Sequence, residues 1–186
     1  RIHGSTIGDF EHFLRGTYDD SALNFTLAAA DGNPIQWMAA QQGLIVGTTG
    51  DEWLIDSGSA DKPITPTNVR VKRQSRYGSA PGLPALIVGE VALFVQRGCR
   101  KVREFTYAFE RDGWVAPDLS LLAEHITRSG IVGLAYQGIP ESRLWCILAD
   151  GSLIGMTYER DQKVIAWHRH LALFPLLVGE QGAIPP

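Results

Sequence analysis

Along this chain, short apolar runs turn back on themselves three times around a glycine. In residues 91–107, Val91, Ala92, Leu93, Phe94 and Val95 lead into Arg97-Gly98. Val102, Glu104 and Thr106 then alternate with Arg103, Phe105 and Tyr107. Successive strand side chains point to opposite faces, so two such runs around a glycine predict a β-hairpin. The pattern recurs in residues 44–55, turning at Gly50-Asp51, and in residues 144–158, turning at Asp150-Gly151. A short apolar strand precedes each hairpin, at 35–40, 84–88 and 131–136. The turn glycines stand at 50, 98 and 151. Several strands per repeat, at a period of roughly 40–50, predict the blades of a β-propeller.

The remaining pattern fills in around these units. Residues 2–6 and 22–30 read as strands, with a turn or single helical turn at 9–14 between them. Residues 67–75 alternate Val69 and Val71 with Arg70 and Lys72, as an outer blade strand with one wet face would. Residues 109–114 read as a second return with a turn at Asp112-Gly113, and 159–162 turn the chain into 163–170. Leu119, Leu122, Ala123 and Ile126 fall at helical spacing behind Asp118, which predicts one short helix over 118–127 with Asp118 as its N-cap. The expected fold is therefore all-β: a partial, β-propeller-like domain over 1–170 with antiparallel blade units at 31–80, 81–128 and 129–170. Residues 171–186, apolar and then rich in Gly and Pro, read as a linker or terminal extension.

Composition narrows the function classes. At 186 residues and 45% hydrophobic content, the chain can bury a substantial core. Its net charge of -3 lacks the basic excess of a dedicated nucleic-acid binder. No apolar stretch approaches the roughly 18–20 residues of a membrane span. Arg1-Ile2-His3 is neither an initiator nor a signal-peptide start, so the chain reads as an internal fragment or a processed product. Three blades fall short of the typically 4–8 that close a propeller. Cys99 and Cys146 occupy non-equivalent places in their units and read as free thiols.

Few constellations point to chemistry. Arg70, Lys72, Arg73 and Arg76 form the densest basic run and are the candidate interaction surface. They would meet phosphate or an acidic partner, or else protect an outer strand from stray pairing. His168 and His170 share a strand face as a metal pair would, but no third ligand stands at a recognisable spacing. Asp19-Asp20 lacks the alternating oxygens of a calcium loop. Glu124-His125 resembles an acid/base pair, yet adjacent helical residues do not face each other. Glu90, Glu104 and Glu110 are the acids a hydrolase reading would use. Neither Gly-x-Ser-x-Gly, nor a Walker loop, nor a dinucleotide fingerprint is present. No catalytic residue, metal ligand or cofactor is assigned. The five tryptophans, at 37, 53, 114, 145 and 167, read as core and inter-blade packing.

Several blocks together resemble a known family. They are Ile64-Thr65-Pro66-Thr67-Asn68, Arg73-Gln74-Ser75-Arg76-Tyr77-Gly78-Ser79, Leu93-Phe94-Val95-Gln96-Arg97-Gly98 and Lys101-Val102-Arg103-Glu104. To these add Ala116-Pro117-Asp118-Leu119-Ser120-Leu121-Leu122-Ala123-Glu124-His125 and Trp167-His168-Arg169-His170. They are similar to bacteriophage and prophage tail proteins related to the tail tubular protein B, or nozzle, of short-tailed phages, over roughly residues 2–170. The resemblance implies a propeller-containing virion protein without enzymatic activity, made in the bacterial cytoplasm. It further implies a sixfold ring below the portal and adaptor that lines the DNA exit channel and holds tail fibres, passing DNA without reading its sequence. Two other classes stay open: a carbohydrate- or receptor-binding propeller of a tail, and a polysaccharide hydrolase with carboxylates from separate blades. Loop aromatics would mark the first, and the loops at 57–66, 78–84 and 137–142 carry none.

Overall fold

The computed structural model describes residues 1–28, 32–59 and 62–170. Among them the only helical elements are two 3₁₀ turns of three residues each. The fold is all-β, in four antiparallel sheets, none of them closed. A two-stranded sheet pairs β1 (Ile2–Gly4) with β2 (Leu23–Phe25). The first four-stranded sheet is β3 (Ile35–Ala40), β4 (Leu44–Thr48), β5 (Glu52–Asp56) and β6 (Arg70–Ser75). The second is β7 (Leu86–Val88), β8 (Val91–Val95), β9 (Val102–Ala108) and β10 (Gly113–Val115). The third is β11 (Ile131–Gln137), β12 (Arg143–Leu148), β13 (Leu153–Glu159) and β14 (Val164–His170). In each of the three, chain order is spatial order. The expected linker at 171–186, the turn residue Asp31 and the end of the expected strand at 22–30 lie outside the described residues.

Strand alternation decides what each sheet presents. Trp37, Ala39, Ile45 and Leu54 of the first sheet pack on Ala92, Phe94 and Phe105 of the second. The other face of β8, with Val91, Leu93 and Val95, packs on Leu144, Cys146, Ile154 and Met156 of the third sheet. On the far side of the first sheet, Val46, Trp53 and Ile55 are covered by Ile2, Phe25 and Leu27. Along the stack β6 lies against β10, and β7 against β11.

Each sheet closes on its own lead-in by a repeated backbone device. At the β4–β5, β8–β9 and β12–β13 turns, the N–H groups of Thr49, Arg97 and Ala149 donate to the carbonyls of Pro34, Gly78 and Gly130 at 3.1, 2.8 and 2.8 Å. The chain leading into the second sheet also donates Ser79 N–H to Thr48 O at 2.7 Å. The chain leading into the third donates Ile131 N–H to Cys99 O. Each connector is thereby tied both to its own sheet and to the preceding one. Gly78 and Gly130 have φ of 71° and 90°, where a side chain is disfavoured. A Cβ at Gly78 would in addition run into the Thr49 carbonyl oxygen.

The helix expected over 118–127 is corrected to a single 3₁₀ turn, Leu121–Ala123. Tertiary hydrogen bonds outbid helical ones there. Leu119 N–H donates to Val102 O at 2.9 Å, Glu104 N–H to Pro117 O at 3.2 Å, and Val102 N–H to Ser120 Oγ at 3.2 Å. This straps the segment along β9, and Leu122 is 94% exposed, so the apolar spacing makes no single face. Asp118 caps no helix. Its carboxylate accepts from the Ser120 N–H and hydroxyl at 2.9 and 2.7 Å and from Lys101 Nζ at 2.9 Å. Burial raises its pKa, but the Ser120 hydroxyl and Lys101 more than offset that, and Asp118 titrates below the ordinary range.

Candidate interaction surface

The basic run divides across the two faces of β6. Arg70, Lys72 and Gln74 form one wall of a groove of about 660 Å³ between the first two sheets, with Tyr107, Asp112 and Trp114 opposite. Arg76 lines an adjoining recess of about 370 Å³ with Arg111, and the two hollows share Gln74 and Trp114. Arg73 points the other way, its guanidinium 5.9 Å from the Trp53 ring centroid and 3.8 Å from Asp51. The structure therefore brings Arg70, Lys72 and Arg76 along one groove and separates Arg73 from them. Strand periodicity separates Arg73 from Arg70 and Lys72, while the register of β6 shifts opposite Glu52 and Trp53 and Arg76 follows that bulge, beyond the strand.

Within the groove, charge is partly spent. Arg70 makes a bidentate pair with Asp56 at 2.8 and 2.7 Å, which raises the Arg70 pKa. The Tyr107 hydroxyl donates to Asp112 Oδ1 at 2.5 Å, and this raises the tyrosine pKa. Trp114 stacks on Phe105 with centroids 5.1 Å apart and planes 17° apart. Lys72, Arg76 and Arg111 make no ion pair among the described residues.

The acids considered for hydrolysis do not converge. Glu90 and Glu110 are exposed, and Glu110 sits in the 3₁₀ turn Phe109–Arg111. Glu104 is buried and accepts from Arg160 Nε at 3.0 Å, while Arg160 also donates to Thr106 Oγ1 at 2.8 Å. Burial beside this pair pushes the Tyr158 hydroxyl well above its ordinary value. Asp150, at the third hairpin turn, is held at about 2, first by the Ser129 hydroxyl and then by the Ser152 N–H.

His168 and His170 do share a face, with ring centroids 4.8 Å apart and Trp145 4.7 Å from His170. Burial, then the neighbouring His170, lowers the His168 pKa. No group of three His, Cys, Asp or Glu suited to a metal occurs among the described residues. Trp37 and Trp53 are buried, and Trp114 and Trp167 pack against the inter-sheet cores. Trp145 is the exception, standing with half-exposed Ile147 on the outer face of the third sheet. Both cysteines are free, and burial pushes the Cys146 thiol up to about 12. No helix among the described residues is long and apolar enough to cross a membrane.

Two features escaped the sequence pattern. Glu52 is fully buried, accepting from the Ser75 hydroxyl, from Tyr77 N–H at 3.3 Å and from the Ser79 hydroxyl at 3.4 Å. The clue was a carboxylate between apolar strands, facing two serines more than twenty residues away. The second is a set of exposed apolar side chains near the N-terminus, Ile7, Phe10, Phe13, Leu14 and Tyr18, each more than half exposed. Their run was visible, but not that they stay in water.

No protein-family model matches the chain, and no curated protein matches it either.

Proposed function

We propose that this chain is a structural part of a bacteriophage tail, three blades of a β-propeller in a nozzle-like protein that forms part of the DNA exit channel. It serves there as a rigid spacer and docking module, without turnover of its own. In the virion it belongs to a ring of copies, sixfold by the resemblance, between portal or adaptor and the tail fibres. The observation that carries this reading is the repeated junction. Three consecutive four-stranded meanders close on their own lead-ins by equivalent backbone hydrogen bonds at Thr49, Arg97 and Ala149, and each is keyed to the next by Ser79 N–H to Thr48 O and Ile131 N–H to Cys99 O. First strands lie beside first strands (β7 against β11) and outer beside outer (β6 against β10), as radially stacked blades require. Order of this kind favours a part that transmits position over one that moves.

Virion assembly with and without the gene product tests the reading. Particles lacking it should fail to build complete, DNA-retaining tails, and the purified chain should leave cell-wall and capsule polymers intact. Complete tails in its absence, together with hydrolysis of such a polymer, would replace the structural reading with the enzymatic one.

A further inference from the structure

We infer that the groove between β6 and β10 is a docking site for an extended acidic segment of a partner protein, laid along β6 as a strand. Three observations carry this. First, β6 and β10 are the outer edges of their sheets, so each offers backbone groups that no strand among the described residues pairs. Sheet edges recruit extended peptides through those groups, with alternate side chains reading the partner. Second, Arg70, Lys72 and Gln74 line the same wall, and Arg76 continues it. From Arg70 to Gln74 the spacing is two residues, about 6.7 Å, the distance at which same-face side chains repeat in any extended peptide; Arg76 follows a β-bulge. Third, charge is left over: Arg70 is matched by Asp56, whereas Lys72, Arg76 and Arg111 have no ion pair among the described residues. An extended segment with carboxylates at every second position meets Arg70 and Lys72 in register and carries further carboxylates toward Arg76 and Arg111.

The same geometry disfavours other polyanions. Nucleic-acid strands and sugar chains gain affinity by stacking on free aromatic faces. In this groove Phe105 covers one face of Trp114, and Tyr107 meets Trp114 edge-on with centroids 6.1 Å apart. The inference extends the docking part of the function proposed above. Its test uses the purified chain alone, so its failure is distinguishable from a failure in virion assembly.

The probe is a peptide of about 10 residues alternating Glu and Thr, compared with a block peptide of identical composition, a single-stranded oligothymidine and hyaluronate. Calorimetry should show the alternating peptide binding at least about tenfold tighter than the block peptide. Rising salt should weaken that binding, and amide exchange on β6 should slow. A Lys72→Glu, Arg76→Glu double variant should abolish it, while Arg100→Glu, an exposed charge reversal away from the groove, should not. Circular dichroism confirms that each variant is folded. Equal affinity for the block peptide, tighter binding of oligothymidine or hyaluronate, or no binding at all would each overturn the proposal.

Discussion

At the junction of the first two sheets, Glu52 lies fully buried among neutral donors: two serine hydroxyls and one backbone N–H. A buried cation, Arg103, is close by in the same junction, its guanidinium 3.4 Å from the Tyr77 ring centroid and 2.7 Å from Gln96 Oε1. No ion pair among the described residues joins Glu52 to Arg103. At the junction of the second and third sheets, by contrast, Glu104 is met directly by Arg160 at 3.0 Å. The first arrangement holds charge with dipoles, the second with a countercharge. Burial dominates where only dipoles are available, and the Glu52 pKa is raised despite its three hydrogen bonds. The two seams therefore have the same backbone plan and different electrostatic fastenings.

The sharpest way to break the comparison is at the shared backbone plan. Gly78→Ala and Gly130→Ala place the same methyl at equivalent positions. The Gly130 variant meets only ordinary contacts, 3.8 Å from Cys99, and should cost about 1–2 kcal/mol for its left-handed backbone. The Gly78 variant adds the collision with the Thr49 carbonyl and should cost about 3 kcal/mol or more. Urea unfolding of both checks this, and equal losses would show that the two connectors are not fastened as described.

Next in size is Arg160→Met, which leaves Glu104 buried without its cation. Breaking a fully buried pair costs roughly 3–5 kcal/mol. Arg160 is 43% exposed, so solvent screening lowers the expected loss to about 1–3 kcal/mol. Replacing both partners, with Glu104→Gln added, should recover part of that loss. A double variant worse than Arg160→Met alone would mean that the pair is not what fastens this seam.

The smallest effect separates dipoles from countercharge by pH. A carboxyl whose pKa folding has raised adds stability while protonated. That contribution is present below the ordinary glutamate value of 4.5 and is lost as pH climbs through the raised value. Glu52→Gln removes the titration and keeps a polar side chain between Ser75 and Ser79. Thermal melts from pH 4 upward should therefore show the wild type losing stability relative to the variant as pH rises. Parallel profiles would show that burial does not govern Glu52.

Much of this architecture was legible one strand at a time. The turns at Gly50, Gly98 and Gly151 and the first strands of each unit follow from two local facts. Alternation sets which side chains share a face, and glycine marks where an apolar run reverses. The identity of His168 and His170 as face-mates came from the same parity. Parity also contained the separation of Arg73 from Arg70 and Lys72, although charge density drew the four together as one patch, and Arg76 follows a register shift that parity does not show. The helix expected behind Asp118 shows where local reading stops. Its spacing was correct for a helix, but β9 offered Pro117, Leu119 and Ser120 partners that a helix would have forfeited.

By itself, then, the sequence determined the strands, their turns and their inward faces, because those depend on contacts between near neighbours in the chain. Only the tertiary structure decided which charges are fastened and which remain free. Arg160 finds Glu104 across 56 positions, and Glu52 finds Ser79 across 27. Lys72 and Arg76 open onto a groove whose far wall, Trp114 and Arg111, belongs to another sheet. Such partners are set by how one sheet packs on the next, and packing is a property of whole faces that no short window of sequence contains.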